Sequence, residues 1–273
     1  MTIYRLFIFL AIILCTTVTT VGQANFELDN RAFDHGEEIE YTVSYNWGFI
    51  WIDAGKVDFK AQIKYDNQKK SWHFLSTGIS FRKFDWFFKV RDTFEVISNY
   101  SDLKPIWFKR NTQEGNYFIF NEYNFDHKNG YISMLSSETK KGFSIDTIPL
   151  PKETFDVLTA TYIARSMDFS KTSKYDTTGI KMVLDGIIFT LPIVFYGRET
   201  IINRDGKKYD CIKFGALLEE GTMFRSGEII YVWVTADRNQ IPVMIEAKIK
   251  VGSIKVYLSS YRNLKFPLLS LYE

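Results

Sequence analysis

Cysteine is almost absent from this chain of 273 residues: only Cys15 and Cys211 occur. Cys15 ends an apolar N-terminal run, so once a leader is removed Cys211 stands alone and no internal disulfide can form. Cys211 sits between Tyr209, Asp210, Ile212 and Phe214 in a strand-like run and reads as a small buried hydrophobe rather than a reactive thiol. Histidine is equally scarce, with His35, His73 and His127 the only three. His35 in "FDHGEE" and His127 in "FDHKNG" each follow Phe-Asp, but their spacing fits no compact ligand motif, and no metal is assigned. His73, in "SWHFLS", reads as a packed strand residue. The chain also lacks a Gly-x-Ser-x-Gly elbow, a phosphate loop and a His-Glu-x-x-His helix, so no catalytic residue is assigned and no cofactor is implied.

Charge is neither plentiful in one sign nor clustered. The 34 Lys and Arg against 32 Asp and Glu form no block, which argues against nucleic acid or an acidic polymer as partner. Lys56, Lys60 and Lys64, on one face of a strand, read as a solvated face. Long apolar runs are missing too. "LFIFLAIILC", Leu6 to Cys15, has ten residues, whereas a spanning helix needs about 20. With Arg5 before it and the small residues Gly22 and Ala24 after it, this run has the three-part pattern of a secretory signal peptide. Cleavage after Ala24 is expected, leaving a single strand-rich domain over 25–273 in an exported protein of the periplasm or envelope. Leu14 stands where a lipidated Cys15 would want a small neighbour.

Aromatic residues are what the chain has in excess, at 17%, and all six Trp follow the leader. They suit strands and apolar cavities. In "GKVDFKAQIKY", Val57, Phe59, Ala61, Ile63 and Tyr65 alternate with polar residues, a period of two that marks a half-buried strand. Ile39 to Trp47 alternates likewise. About a dozen such runs between short turn clusters predict an antiparallel β protein, with hairpin turns at Asn129-Gly130 and Asp205-Gly206. One segment departs from this. In "PKETFDVLTATYIARSMDFS" the spacing of Phe155, Leu158 and Tyr162 predicts an amphipathic helix near 154–169, capped by Thr154.

Two polar or aromatic clusters invite a functional reading. "WVTADRNQIP" places Asp237, Arg238, Asn239 and Gln240 between two strands, and its Asp and Asn favour a hairpin corner over a catalytic carboxylate. "SFRKFDWFFKVRDTF" mixes aromatics with Arg82, Lys83, Lys89 and Arg91. It reads first as a crowded strand edge, and second as the lip of an apolar cavity or a peripheral membrane contact through Phe84, Trp86, Phe87 and Phe88.

The stretches "KVRDTFEV", "DLKPIWFKRNTQEG", "FDVLTATYIARS" and "YVWVTADRNQIPVMIEAKIKVGSIKVYL" together make the chain resemble the uncharacterised exported bacterial family called domain of unknown function 3108. The last, with Trp233, Asp237, Pro242 and Gly252 in order, is the most specific. The resemblance implies an exported, strand-rich fold and no activity. The same late hairpin is similar to that of half-barrel lipoprotein carriers of the periplasm, in which a curved sheet closes over a helix and holds acyl chains. The expected fold is therefore mainly β, a curved antiparallel sheet or partly open β-barrel with one packed helix. The expected function is noncatalytic binding of a lipid or other apolar small molecule, with Tyr45, Trp47, Phe59, Phe74, Trp107, Phe120 and Tyr162 as candidate lining residues. The alternatives are a structural or assembly partner of an envelope protein, an integral outer-membrane barrel, and a hydrolase.

Overall fold

Period-two alternation becomes hydrogen-bonded ladder along most of the chain. The computed structural model describes residues 22–23, 31–47, 50–86, 89–217, 229–248 and 252–272. The expected leader lies outside them except for Gly22–Gln23, as do Phe87 and Phe88. Among the described residues, fourteen strands of seven residues or more form one sheet: β1 Glu37–Trp47, β2 Ile50–Asp66, β3 Lys69–Ser80, β4 Val90–Asn99, β5 Pro105–Glu114, β6 Tyr117–Asp126, β7 Tyr131–Glu138, β8 Gly142–Pro149, β9 Thr177–Leu184, β10 Ile187–Ile202, β11 Lys208–Leu217, β12 Ile229–Thr235, β13 Pro242–Lys248 and β14 Ser253–Arg262. All pair antiparallel with their sequence neighbours, apart from β8 and β9, which share no ladder. The last strand pairs with the first, from Ile254 opposite Tyr45 to Arg262 opposite Glu38. The open seam thus falls mid-chain, between β8 and β9, and not at the chain ends.

Short turns set the registers. Asn67 and Gln68 both take positive φ between β2 and β3, and Asp185-Gly186 does the same between β9 and β10, as a two-residue hairpin in a right-twisted sheet requires. Gly130 and Gly206 supply positive φ at the two turns expected from the sequence.

The sheet curls so that its two wings share a core. Trp72, Phe74, Phe108 and Tyr123 from β3, β5 and β6 join Met182, Leu184, Leu191 and Phe214 from β9 to β11 in one buried cluster. The helix α1, Val157–Ala164, enters this cluster against β3, β4 and β9. It is shorter than the spacing predicts, and its cap is Asp156 rather than Thr154. The Asp156 carboxylate accepts from the amides of Leu158 and Thr159 at 2.9 and 3.0 Å, whereas the Thr154 hydroxyl donates to Pro151 O. Phe155 and Asp156 are themselves extended, bridging to β9 in parallel, so the first turn of the expected helix is spent on the sheet. Val157, Leu158, Thr159, Ala160, Tyr162 and Ile163 are all buried, which makes α1 a buried core helix and not an amphipathic surface one.

The "WVTADRNQIP" corner is a structural junction. Asp237 accepts from Thr235 Oγ1 and Asn239 N with one carboxylate oxygen and from Ser270 N with the other, each at 3.0 Å. Fully buried Asn239 donates to Phe266 O and accepts from Phe266 N, so the corner fastens the C-terminal tail beneath the sheet. Asn239→Ala is expected to destabilise the fold by about 2–3 kcal/mol through buried amide and carbonyl groups left unpaired. Urea unfolding measures this, and a loss below 0.5 kcal/mol would contradict it. Cys211, also fully buried, has its thiol pushed up to about 12 by burial and is inert, as read from the sequence.

Candidate functional site

The registers sort every side chain of β2 to β7 onto one of two faces. One inward row runs Ala61, Phe74, Val96, Phe108, Tyr123 and Met134. It is apolar and buried. Against it Tyr162 of α1 stacks on Phe74 with ring centroids 4.0 Å apart, and Phe33 meets Trp72, Phe74 and Tyr162 edge-on. This half of the interior is filled.

The next two inward rows differ in chemistry. They run Phe59, Ser76, Phe94, Arg110, Asn121 and Ser136, then Val57, Gly78, Asp92, Thr112 and Ile119. Asp92, Arg110, Thr112 and Asn121 are all at least 95% buried. Arg110 donates from Nη1 to Asp185 at 2.8 Å, and Asn121 donates from Nδ2 to Ser136 at 3.0 Å. Arg110 Nε and Nη2, Asp92 Oδ1, Thr112 Oγ1 and Asn121 Oδ1 have no hydrogen-bond partner. Buried polar atoms of this kind are uncommon and costly. Sequence reasoning passed over them, although a signal existed: Arg110 and Thr112 hold the same parity as Phe108, and Asn121 the same parity as Ile119 and Tyr123.

Burial pushes the Asp92 carboxyl up to about 7, only partly offset by the Arg110 guanidinium and a backbone hydrogen bond from Gln113. The folded state therefore holds this proton more tightly than the unfolded chain, and the stability contributed by this group is greatest at low pH and is lost as pH rises through about 7. From pH 8 to pH 5 the gain from this group is roughly 2–3 kcal/mol. Asp92→Asn should remove most of that slope and raise stability at pH 8, measured by urea unfolding at both pH values. An unchanged slope would show that Asp92 does not carry it.

Elsewhere the inward face is apolar and only half covered. Tyr45, Phe59, Phe94, Val232, Ile245 and Ile254 pack against the core cluster yet keep part of their surface accessible. Of the seven residues expected from the sequence, Tyr45 and Phe59 stand on this half-covered wall. Phe74 and Tyr162 belong to the filled half. Trp107 and Phe120 point outward, because they alternate with Phe108 and with Ile119 and Asn121. Trp107 there donates to Glu122 at 2.9 Å, and Lys109 lies over the Phe120 ring. The side chain of Trp47 lies outside the described residues.

The other sequence candidates have local partners. His35 Nδ1 accepts from Ile63 N at 3.0 Å, His127 Nε2 lies 2.7 Å from Pro105 O, and His73 Nε2 lies 2.5 Å from Glu95. Among the described residues no group of His, Cys, Asp and Glu is arranged to hold a metal. Lys56 and Lys60 form ion pairs with Glu40, Asp58 and Glu38 along a charged outer groove. Trp86 is 84% exposed at the end of the aromatic "SFRKFDWFFKVRDTF" stretch, and Phe84 is half-buried. Among the described residues no helix is long and apolar enough to cross a membrane.

A family model described as protein of unknown function (DUF3108) matches residues 40–259. The fold is similar to the crystal structure of a beta-barrel-like protein of domain of unknown function DUF1849 from Brucella abortus, with a TM-score of 0.52 at 7% identity over 84% of this chain and 97% of that one. No curated protein matches the chain.

Proposed function

Since the chain belongs to the DUF3108 family, whose name assigns no activity, we propose from its geometry that it is a noncatalytic exported protein of the cell envelope that binds a lipid or other apolar ligand. The observation carrying this reading is the half-covered apolar wall: Tyr45, Phe59, Phe94, Val232, Ile245 and Ile254 face inward and remain partly accessible. Apolar surface kept on the inside of a curved sheet lowers its free energy by taking up an apolar guest, by about 25 cal/mol for each Å² removed from water. The open seam between β8 and β9 gives such a guest a way past a wall that a closed barrel would block. On this reading the expected export signal carries the protein to a compartment where free lipid must be shielded from water.

Mass spectrometry of organic extracts from protein purified from the envelope without detergent tests this. A stoichiometric lipid is expected. Extracts that contain none, together with no uptake of a fluorescent acyl probe, would overturn the reading. The second reading, an assembly partner without a small ligand, draws on the edge strand β8, where Phe143 and Ile145 are 64% and 71% exposed. Loss of an envelope complex on Phe143→Ser or Ile145→Ser, with no lipid bound, would favour it.

A further inference from the structure

The β9–β10 turn, Asp185-Gly186, sits on the inward face of β5 to β7. Asp185 reaches Arg110, Gly186 N donates to Tyr123 Oη at 3.3 Å, and a Cβ on Gly186 would come 3.4 Å from Met134 Cε. Beneath this turn lies the layer of unpartnered buried groups. Asp185 occupies only one nitrogen of Arg110, Nη1. The two that remain, Nε and Nη2, form the side edge of the guanidinium, whose parallel N–H bonds match the two oxygens of a carboxylate. They are fully buried and have no acceptor. Thr112 Oγ1, one row away, also lacks a partner.

Resting on the apolar-ligand reading, we propose that this layer is the head-group site for one carboxylate-bearing amphiphile, a long-chain fatty acid, with the β9–β10 turn as its displaceable cover. The ligand carboxylate accepts from Arg110 Nε and Nη2 and from the Thr112 hydroxyl, and its chain runs along Phe94 and Phe59 toward Tyr45. Gly78 on β3 carries no side chain beside Asp92 in this layer. Asp185 is then an internal carboxylate that holds Arg110 through Nη1 in the closed state, and its negative charge opposes that of the ligand. The carboxylates facing Arg110 are Asp185 and Asp92, and burial keeps Asp92 largely protonated below neutral pH, so the ligand meets one cation and one neutral acid. Glu114 stands two inward steps along β5, roughly 13 Å away by strand rise.

The test compares hexadecanoate with its methyl ester on the full chain stripped of co-purified lipid, by isothermal titration. The acid should bind at least about tenfold more tightly than the ester, which cannot take a charge-assisted bidentate pair. Asp185→Asn keeps a residue that tolerates positive φ and removes the opposing charge. It should tighten acid binding by about tenfold and leave ester binding unchanged. Thr112→Val should weaken the acid by about tenfold, and Arg110→Gln should abolish the preference for acid over ester. Equal binding of acid and ester, with no effect of Asp185→Asn, would overturn the head-group assignment and leave the apolar-ligand reading standing. Binding of neither would overturn both.

Discussion

Arg165→Met is expected to destabilise the protein by about 3–5 kcal/mol, the usual result of leaving one partner of a buried ion pair uncompensated. Arg165 follows the last turn of α1 and is 5% exposed, while Glu37 at the start of β1 is 1% exposed. The guanidinium donates to both carboxylate oxygens, at 2.7 and 3.0 Å, and from Nη2 to Asn239 O at 3.1 Å. One side chain thereby ties the helix to the first strand and to the "WVTADRNQIP" corner. Removing it leaves a carboxylate buried beside an orphaned carbonyl. The double variant Glu37→Leu with Arg165→Met should recover most of the loss, because two apolar groups of similar volume carry no desolvation cost. Urea denaturation of the wild type and the three variants closes the cycle. Additive losses in the double variant would mean that the pair is not coupled.

Phe74→Ala is expected to cost about 3–5 kcal/mol. The ring is fully buried, stacks on Tyr162 and on Trp72 at centroid distances of 4.0 and 5.7 Å and meets Phe33 edge-on. Its removal opens a cavity where helix, sheet and the segment carrying Phe33 meet. Tyr162→Phe should behave in the opposite way. The Tyr162 hydroxyl is buried without a hydrogen-bond partner, so its deletion is expected to be neutral or stabilising by about 1 kcal/mol. Thermal unfolding of both variants gives the answer. A loss under 1 kcal/mol for Phe74→Ala, with altered ligand uptake, would mean that Phe74 lines a ligand space and does not fill the core.

The two rings also show where pattern reading stops. Phe74 and Tyr162 were expected on a ligand wall because they are large, aromatic and on apolar positions. Parity and helical spacing do place them inside, but neither says whether the space before them is occupied. Trp107 and Phe120 mark a second limit. In "PIWFKRNTQE" either parity has a large aromatic residue, Trp107 or Phe108, and only the neighbouring ladders choose Phe108 for the inside. That choice brings Arg110 and Thr112 inward with it, which is why the polar layer stayed hidden. The helix was recognised by its spacing, yet its first turn was lost to β9, since Phe155 and Asp156 gain ladder hydrogen bonds there that an isolated helix end cannot offer.

By itself the sequence determined the strand-rich antiparallel class, the two glycine hairpin turns, the helix α1, the inert Cys211 and the corner at Asp237 to Asn239. Each of these is signalled within a short stretch of chain, by spacing and side-chain chemistry. Tertiary structure decided the rest: the pairing of the last strand with the first, the placing of the seam between β8 and β9, the union of Arg165 with Glu37, and the closure of Asp185 over Arg110. Those contacts join residues 75 to more than 200 positions apart. They depend on how a twisted sheet curls and which faces then meet, and no local period carries that information.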